Sequence, residues 1–414
     1  MSDRYPGGLI RKTPPTITPP VDGEGGSAPG IWTLEQASYY QGTGEWPKGV
    51  LPRELYTWGS GSNGQLGLDF AESVNVSSPT QVGSLITWSK VNGAGRNAFS
   101  FAIKTDGTLW TWGNNGSGQL GTNDLSSRSS PVQIGALTNW AEVSTMALSS
   151  LAVKTDGTLW AWGLNNNGQV GNNNTGNPYV EVSSPIQIGA NTNWYKVAAG
   201  DGFSLALKTD GTMWSWGNQD VSSGKLGQND LINRSSPTQI GSLTTWAVIA
   251  AGERVGLAVK TDGTIWTWGN QNFGRLGNNV SSNAGVSSPI QIGALTNWST
   301  PNLGSEGSFA IKTDGTLWGW SSGGNGRLGT GNTISRSSPV QIGSDTNWAK
   351  IASGPEFAVA TKTDKTLWTW GIGTSGQLGH NAAVSLSSPV QVGAETIWNE
   401  VATTSTSSTA TTLG

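Results

Sequence analysis

The run Lys104-Thr-Asp-Gly-Thr108-Leu-Trp110-Thr-Trp112-Gly-Asn-Asn-Gly-Ser-Gly118-Gln-Leu-Gly121 decides the fold, because it joins a hairpin, a strand and a glycine turn, and because it returns. Lys-Thr-Asp-Gly-Thr begins again at 154, 208, 260 and 312, and a sixth copy reads Lys362-Thr-Asp-Lys365-Thr. In such a turn Asp bonds the backbone ahead of it and Gly takes the positive φ that a tight hairpin needs. Lys365, at a glycine position, should therefore carry mild strain.

Two further markers count the repeats. Trp-Gly starts at 58, 112, 162, 216, 268 and 370, with Trp320-Ser321 as the seventh copy, and Ser-Ser-Pro starts at 77, 129, 183, 235, 287, 337 and 387. A period near 50 residues, seven times over, indicates a propeller or solenoid. Between Pro131 and Gly163 four strand-like segments follow one another, around Val132–Ile134, Trp140–Val143, Leu151–Val153 and Leu159–Trp162, and are read as one blade.

Trp110 and Trp112 lie two residues apart, as do Trp160 and Trp162, so each pair leaves the same sheet face and can fill the space between blades. Burying one indole is worth up to about 4–6 kcal/mol at roughly 25 cal/mol/Å². The ends decide closure. The first repeat enters at Leu55-Tyr-Thr-Trp58 without a preceding hairpin, and the last ends at Ser408–Leu413 in the phase of a third strand. The expected fold is an all-β, seven-bladed β-propeller of four-stranded blades over 55–414, closed by pairing the C-terminal strand with the first. Such closure pairs the two chain ends and leaves only short, protected sheet edges.

Composition excludes several functions. The 414 residues include 60 Gly, 22 Trp, one His and no Cys, and only 12% are charged, against roughly 25% in an average domain. With a net charge of −3 there is no basic footprint for nucleic acid. Thiolate metal sites and disulfides are excluded, and His380 alone makes neither a zinc site nor a triad; it reads as a surface residue. No stretch approaches 18 apolar residues, and the N-terminus lacks the apolar core of a signal peptide, so no membrane insertion is expected. Gly113–Gly118 superficially resembles a phosphate loop, but it follows a strand and precedes no helix. No catalytic, cofactor-binding or metal-ligating residues are expected, and the chain reads as a non-enzyme. Lys104, Lys154, Lys208, Lys260, Lys312 and Lys362 should form a ring on one side of the molecule, either as solvated turn residues or as a binding surface, with Arg275 and Arg327 breaking the symmetry elsewhere.

Gly-Gln-Leu-Gly at 64–67, 118–121 and 376–379, with the variants Gly168-Gln-Val-Gly, Gly224-Lys-Leu-Gly, Gly274-Arg-Leu-Gly and Gly326-Arg-Leu-Gly, resembles the regulator-of-chromosome-condensation repeat family. The resemblance covers 55–413 and implies a seven-bladed propeller. It also implies a regulatory interaction module or guanine-nucleotide exchange factor as one functional alternative. The His that family repeats often carry before the third strand is replaced in phase by Phe99, Ser149, Phe203, Val255, Gly307 and Phe357.

Residues 1–54 lie outside the repeats and read as an extended arm with a short helix at Leu34–Tyr40, capped by Thr33-Leu-Glu-Gln36. Gly7-Gly-Leu-Ile10-Arg-Lys, Gly30-Ile-Trp32-Thr-Leu34 and Gly44-Glu-Trp46-Pro resemble N-terminal segments of structural proteins of tailed phages. That resemblance implies a virion structural protein on capsid or tail, made in the host cytoplasm, docked to other virion proteins through Ile10, Trp32, Leu34 and Trp46. The propeller would then face protein partners or the host surface, or act as a tail adhesin for host glycans.

Overall fold

A computed structural model describes residues 53–70, 74–174, 181–220 and 222–413, and these form one unit, Arg53–Leu413. The expected helix at 34–40 and the candidate docking residues Ile10, Trp32, Leu34 and Trp46 lie outside the described residues. Seven four-stranded antiparallel sheets are arranged as a closed propeller. Blade 1 consists of Trp88–Gly93, Phe99–Lys104, Leu109–Gly113 and Arg128–Gln133, called strands a to d from the axis outward. Blades 2 to 6 repeat this order along the chain.

The strand phase differs from the sequence reading in one respect. The Ser-Ser-Pro strand does not open a blade. It closes the preceding one, since Val132 pairs with Thr111 of strand c. Each blade therefore begins at its inner Trp, and the closing blade is built from two strands of each chain end. Its order is Val76–Gln81, Leu55–Gly59, Ser407–Thr412, Trp398–Thr403. Closure itself is as expected: Leu55 pairs with Thr411 and Gly59 with Ser407 in an unbroken antiparallel register.

The core lies between blades, as the paired Trp require. Trp88, Ala102 and Trp112 of blade 1 pack on Leu55 and Val82 of the closing blade, and Trp140, Ala152 and Trp162 of blade 2 pack on Phe101, Leu109 and Ile134 of blade 1. The Gly-Gln-Leu-Gly loop is the staple across each boundary. The Trp112 indole N–H donates to the Gln65 carbonyl at 2.9 Å, and the Trp162 N–H to that of Gln119 at 2.8 Å. Gly64, at φ +75°, lies so close to the next blade that a Cβ would come within 2.9 Å of the Ser129 Cα. The two sequence markers that counted the repeats thus both meet the glycine loop of the preceding blade.

Candidate functional site

The strand directions give the disc two unlike ends. At one end strand a begins with its Trp and strand b finishes with its Lys; this is the tryptophan end. The six expected lysines lie here, but not as a free ring. The Lys104 Nζ sits 3.6 Å from the ring centre of Trp110 and 4.9 Å from that of Trp88. The other five repeat this, 3.5–4.1 Å from the strand c ring. Lys104, Lys154, Lys208, Lys312 and Lys362 are only 5–7% exposed. Burial pushes the ammonium pKa of Lys104, Lys154, Lys208, Lys260 and Lys312 down, with the nearby hairpin Asp opposing it. The indole faces supply the electrostatic compensation.

Each hairpin extends the clamp. The Asp156 carboxylate accepts from the Thr158 backbone N–H at 3.0 Å and from its hydroxyl at 2.6 Å, and the Thr158 hydroxyl accepts from the Trp160 indole at 2.8 Å. The Thr158 hydrogen bonds hold the Asp156 carboxyl below the usual carboxylate range. Lys, Asp, Thr and two Trp are one structural unit, and sequence reasoning saw the members without the clamp.

The opposite end carries the a–b turns and the long c–d loops, and here the repeats diverge. In blades 3, 4 and 5 the Gln of the glycine loop is replaced by Lys225, Arg275 and Arg327, and the a–b turns of blades 3 to 6 carry Asp201, Glu253, Glu306 and Glu356. A Gln at this position caps its own loop, as Gln119 does for the Ser117 N–H at 2.7 Å. The longer cations reach inward to the turns instead. The Lys225 Nζ donates to the Asp201 carbonyl at 2.8 Å. Arg275 lies 3.8 Å from Glu253 and 4.0 Å from Glu306, while Arg327 pairs with Glu306 and with Glu356 at 3.1 Å.

These cations are 5–7% exposed. The side chains of Glu306 and Glu356 are 37% and 41% exposed, so the arc presents carboxylates over buried bases. Burial lowers the pKa of Lys225 and of Arg275, and the facing carboxylates oppose that shift. From blade 1, Arg96 crosses to Asp201 at 2.5 Å and to Glu253 at 2.9 Å, spanning blades 1, 3 and 4. The axial channel beneath is about 280 Å³ and is lined by Asn92, Ser144, Met146, Ile249, Asn302 and Thr403 among others. Its far mouth is ringed by the pairs Lys90–Glu142 at 2.7 Å, Lys196–Glu142 at 3.0 Å and Lys350–Glu400.

One residue stands out on the loop end. Phe273 is 54% exposed and adopts φ +58°, a left-handed conformation that is unfavourable for a bulky side chain. The six other repeats have Asn or Ser before the same glycine: Asn63, Ser117, Asn167, Ser223, Asn325 and Ser375. The Arg275 guanidinium lies 5.9 Å from the Phe273 ring centre. The sequence signal was available as the one aromatic in that column, but nothing in it says that the side chain faces solvent. His380, read as a surface residue, is instead partly buried with its Nε2 2.9 Å from the Thr369 hydroxyl, and burial lowers its pKa.

The described residues form a closed seven-bladed disc with a regular end and a divergent, charged end, and no helix among them is long and apolar enough to cross a membrane. Comparison with known proteins supplies the family. Residues 141–413 match the RCC1-like domain, and residues 54–99 and 106–151 match the regulator of chromosome condensation (RCC1) repeat. The chain belongs to the RCC1-like domain family. It is 28% identical to the E3 ubiquitin-protein ligase HERC2 of Mus musculus over 287 residues, 67% of this chain but 6% of that one. It is 29% identical to the ultraviolet-B receptor UVR8 of Arabidopsis thaliana over 68% of this chain and 64% of the receptor. The chain therefore spans only part of the length of these relatives. Among solved structures, Prp20p of Saccharomyces cerevisiae superposes with a TM-score of 0.76 at 20% identity, covering 88% of this chain and 92% of that one, which shows the shared fold.

These findings correct the virion reading. The expected roles as phage structural protein or tail adhesin, and the expected location in a virion, rested on short motifs within residues 1–54. The match that spans the repeats leads to a ubiquitin ligase, a light receptor and a yeast protein studied for its binding to Gsp1p and histones.

Proposed function

We propose that this chain is a non-enzymatic regulatory interaction module whose propeller holds a protein partner on the loop end, over blades 3 to 6. The observation that carries this reading is Phe273: an exposed aromatic held at positive φ, beside Arg275, which faces the carboxylates of Glu253 and Glu306. Backbone strain kept at an exposed aromatic has no benefit for folding, and an aromatic anchor ringed by charge is the usual composition of a binding hot spot. Half-exposed carboxylates held over buried bases give this arc a fixed charge pattern suited to orienting one partner and excluding others. The names of the relatives, a ligase and a receptor of which this region is a part, support regulation through binding.

The test is Phe273→Asn, which copies Asn325 at the same position and the same φ. It should raise the thermal midpoint slightly while removing the partners that a photo-crosslinker at Glu306 captures in the native cells. A hot-spot loss of about 2 kcal/mol corresponds to roughly thirty-fold weaker binding. Capture of the same partners with undiminished yield would refute the reading. Nucleotide release from a panel of small GTPases, with and without Phe273→Asn, tests exchange activity as one form of this regulation.

A further inference from the structure

Arg275 and Arg327 hold the same position in the glycine loops of adjacent blades, and only one of them is satisfied. Arg327 donates through Nε to the Gly324 carbonyl at 2.9 Å, and through its terminal nitrogens to Glu306, to the Pro355 carbonyl and to Glu356 at 3.1 Å. Arg275 stands in the matching relation to Glu253 of its own blade and Glu306 of the next, but at 3.8 and 4.0 Å, beyond hydrogen-bond reach. Its guanidinium makes no hydrogen bond among the described residues. The side chain is 9% exposed; Nε is sealed, and the two terminal nitrogens keep what access there is. A guanidinium so enclosed and unpaired is costly, which makes it a marker of a missing partner group.

The carboxylates that could satisfy Arg275 are committed elsewhere. Glu253 pairs with Arg96 at 2.9 Å and with Arg254 at 3.5 Å, and Glu306 is drawn to Arg327. Each therefore stands about 1 Å beyond hydrogen-bond length from the Arg275 guanidinium. The rim of this cleft is open: Phe273 is 54% exposed, and the side chains of Arg254 and Glu306 are 43% and 37% exposed. A group entering here must accept from Arg275 and donate to a carboxylate beside it. A carboxylate would add a third negative group next to Glu253 and Glu306, and an ammonium or guanidinium would face Arg275 and Arg254, so a charge of either sign meets its like. A trans peptide group is neutral but points its C=O and N–H in opposite directions. A primary carboxamide is neutral and carries C=O and N–H side by side on one edge.

We propose that the Arg275 cleft takes the side-chain carboxamide of a glutamine presented by the loop-end partner. Its oxygen accepts from the terminal nitrogens of Arg275, its N–H donates to Glu253 or Glu306, and its methylene stem packs on the exposed ring of Phe273, whose centre is 5.9 Å from the guanidinium carbon. Glutamine suits the site because the Arg275 nitrogens are recessed and need a stem to reach them. This inference rests on the loop-end reading and names what that partner inserts. Discrimination follows from the unpaired guanidinium, since a side chain that cannot bond it leaves a buried donor unsatisfied.

The experiment uses the full chain labelled with 4-fluorophenylalanine, whose Phe273 resonance is identified by Phe273→Asn. Nα-acetyl-glutamine N-methylamide is titrated, with the glutamate, lysine and alanine analogues as the other arms. The expected result is a saturable shift of the Phe273 resonance with the glutamine form and about tenfold weaker binding of each other form. Arg275→Gln restores the residue found in four other repeats, at Gln65, Gln119, Gln169 and Gln377, and should weaken glutamine binding about tenfold while keeping the thermal transition. If that variant does not fold, Arg275→Lys decides, because it keeps the charge, loses the planar edge and should show the same loss. A resonance indifferent to the glutamine form, or equal binding in the Arg275 variant, overturns the site. A glutamate, lysine or alanine form that binds as tightly overturns the assignment to a carboxamide. Failure of the loop-end reading shows separately, as partners still captured by the Phe273→Asn chain.

Discussion

The tryptophan end and the loop end are built from the same seven repeats, yet only one of them repeats. At the tryptophan end, six blades place a Lys over two indoles and anchor a hairpin through Asp and Thr, with distances that differ by a few tenths of an ångström. At the loop end, the a–b turns read Gly200-Asp-Gly202, Gly252-Glu-Arg254, Gly304-Ser-Glu306, Gly354-Pro-Glu356 and Thr404-Ser-Thr406, and the ion pairs link particular blades. The difference lies in the partners, since Lys225, Arg275 and Arg327 are as buried as the lysines of the other end. The tryptophan-end cation meets rings of its own blade, contacts worth about 2 kcal/mol when desolvated, whereas Arg275 and Arg327 meet carboxylates of neighbouring turns, of which Glu306 and Glu356 are half-exposed and free to vary. Stability is concentrated where the blades are alike, and the capacity for specific recognition where they differ.

The largest expected effect comes from breaking the ring where it is made of two chain ends. Deleting residues 407–414 removes the strand paired with Leu55–Gly59 and leaves two open edges. The thermal transition should lose its cooperativity and gel filtration should show aggregates; an unchanged transition would refute closure as the source of stability. Next, Lys154→Met at the tryptophan end should cost about 1–2 kcal/mol in urea unfolding, while Glu356→Gln at the loop end, which leaves Arg327 paired with Glu306, should change stability by no more than about 0.5 kcal/mol. Equal effects would erase the contrast between the two ends.

A gain is expected at Lys365, which sits at φ +68° where the other hairpins have glycine. Lys365→Gly should stabilise by about 1 kcal/mol, read as a shift in urea midpoint. The smallest effect is that of acid. The Asp156 and Asp210 carboxyls are held below their ordinary range by Thr hydrogen bonds. Their contribution is present above the unfolded-state pKa of about 3.9 and is lost as pH falls through the lower folded value. Urea midpoints should hold down to about pH 5 and fall by about pH 3, with Thr158→Val already lacking part of that fall.

Much of the architecture was legible because it is local and repeated. Trp-Gly, Ser-Ser-Pro and Lys-Thr-Asp-Gly-Thr gave the blade number, the hairpins and the closure between Leu55–Trp58 and Ser408–Leu413. The phase of the Ser-Ser-Pro strand was misread because adjacency along the chain does not say whether a strand pairs backward or forward; Val132 pairs with Thr111, twenty-one residues earlier. The lysines were seen as turn charges, since the sequence contains no sign that the Lys104 side chain folds back over Trp110. Arg275 and Arg327 were recognised as departures from the repeat, but their partners Glu253, Glu306 and Glu356 are supplied by turns that only the ring brings alongside.

The sequence by itself determined that this chain is a seven-bladed propeller closed by its own ends, because periodic turn chemistry and paired tryptophans specify local hairpins and the faces they bury. Only the tertiary structure decided which charges meet, that six lysines are held over indoles, that Phe273 is exposed under backbone strain, and that the closing blade keeps an aromatic pair without the lysine. The physical reason is that local structure depends on neighbours within a few residues, whereas these sites arise from contacts across blade boundaries and across the axis, which the chain order does not encode.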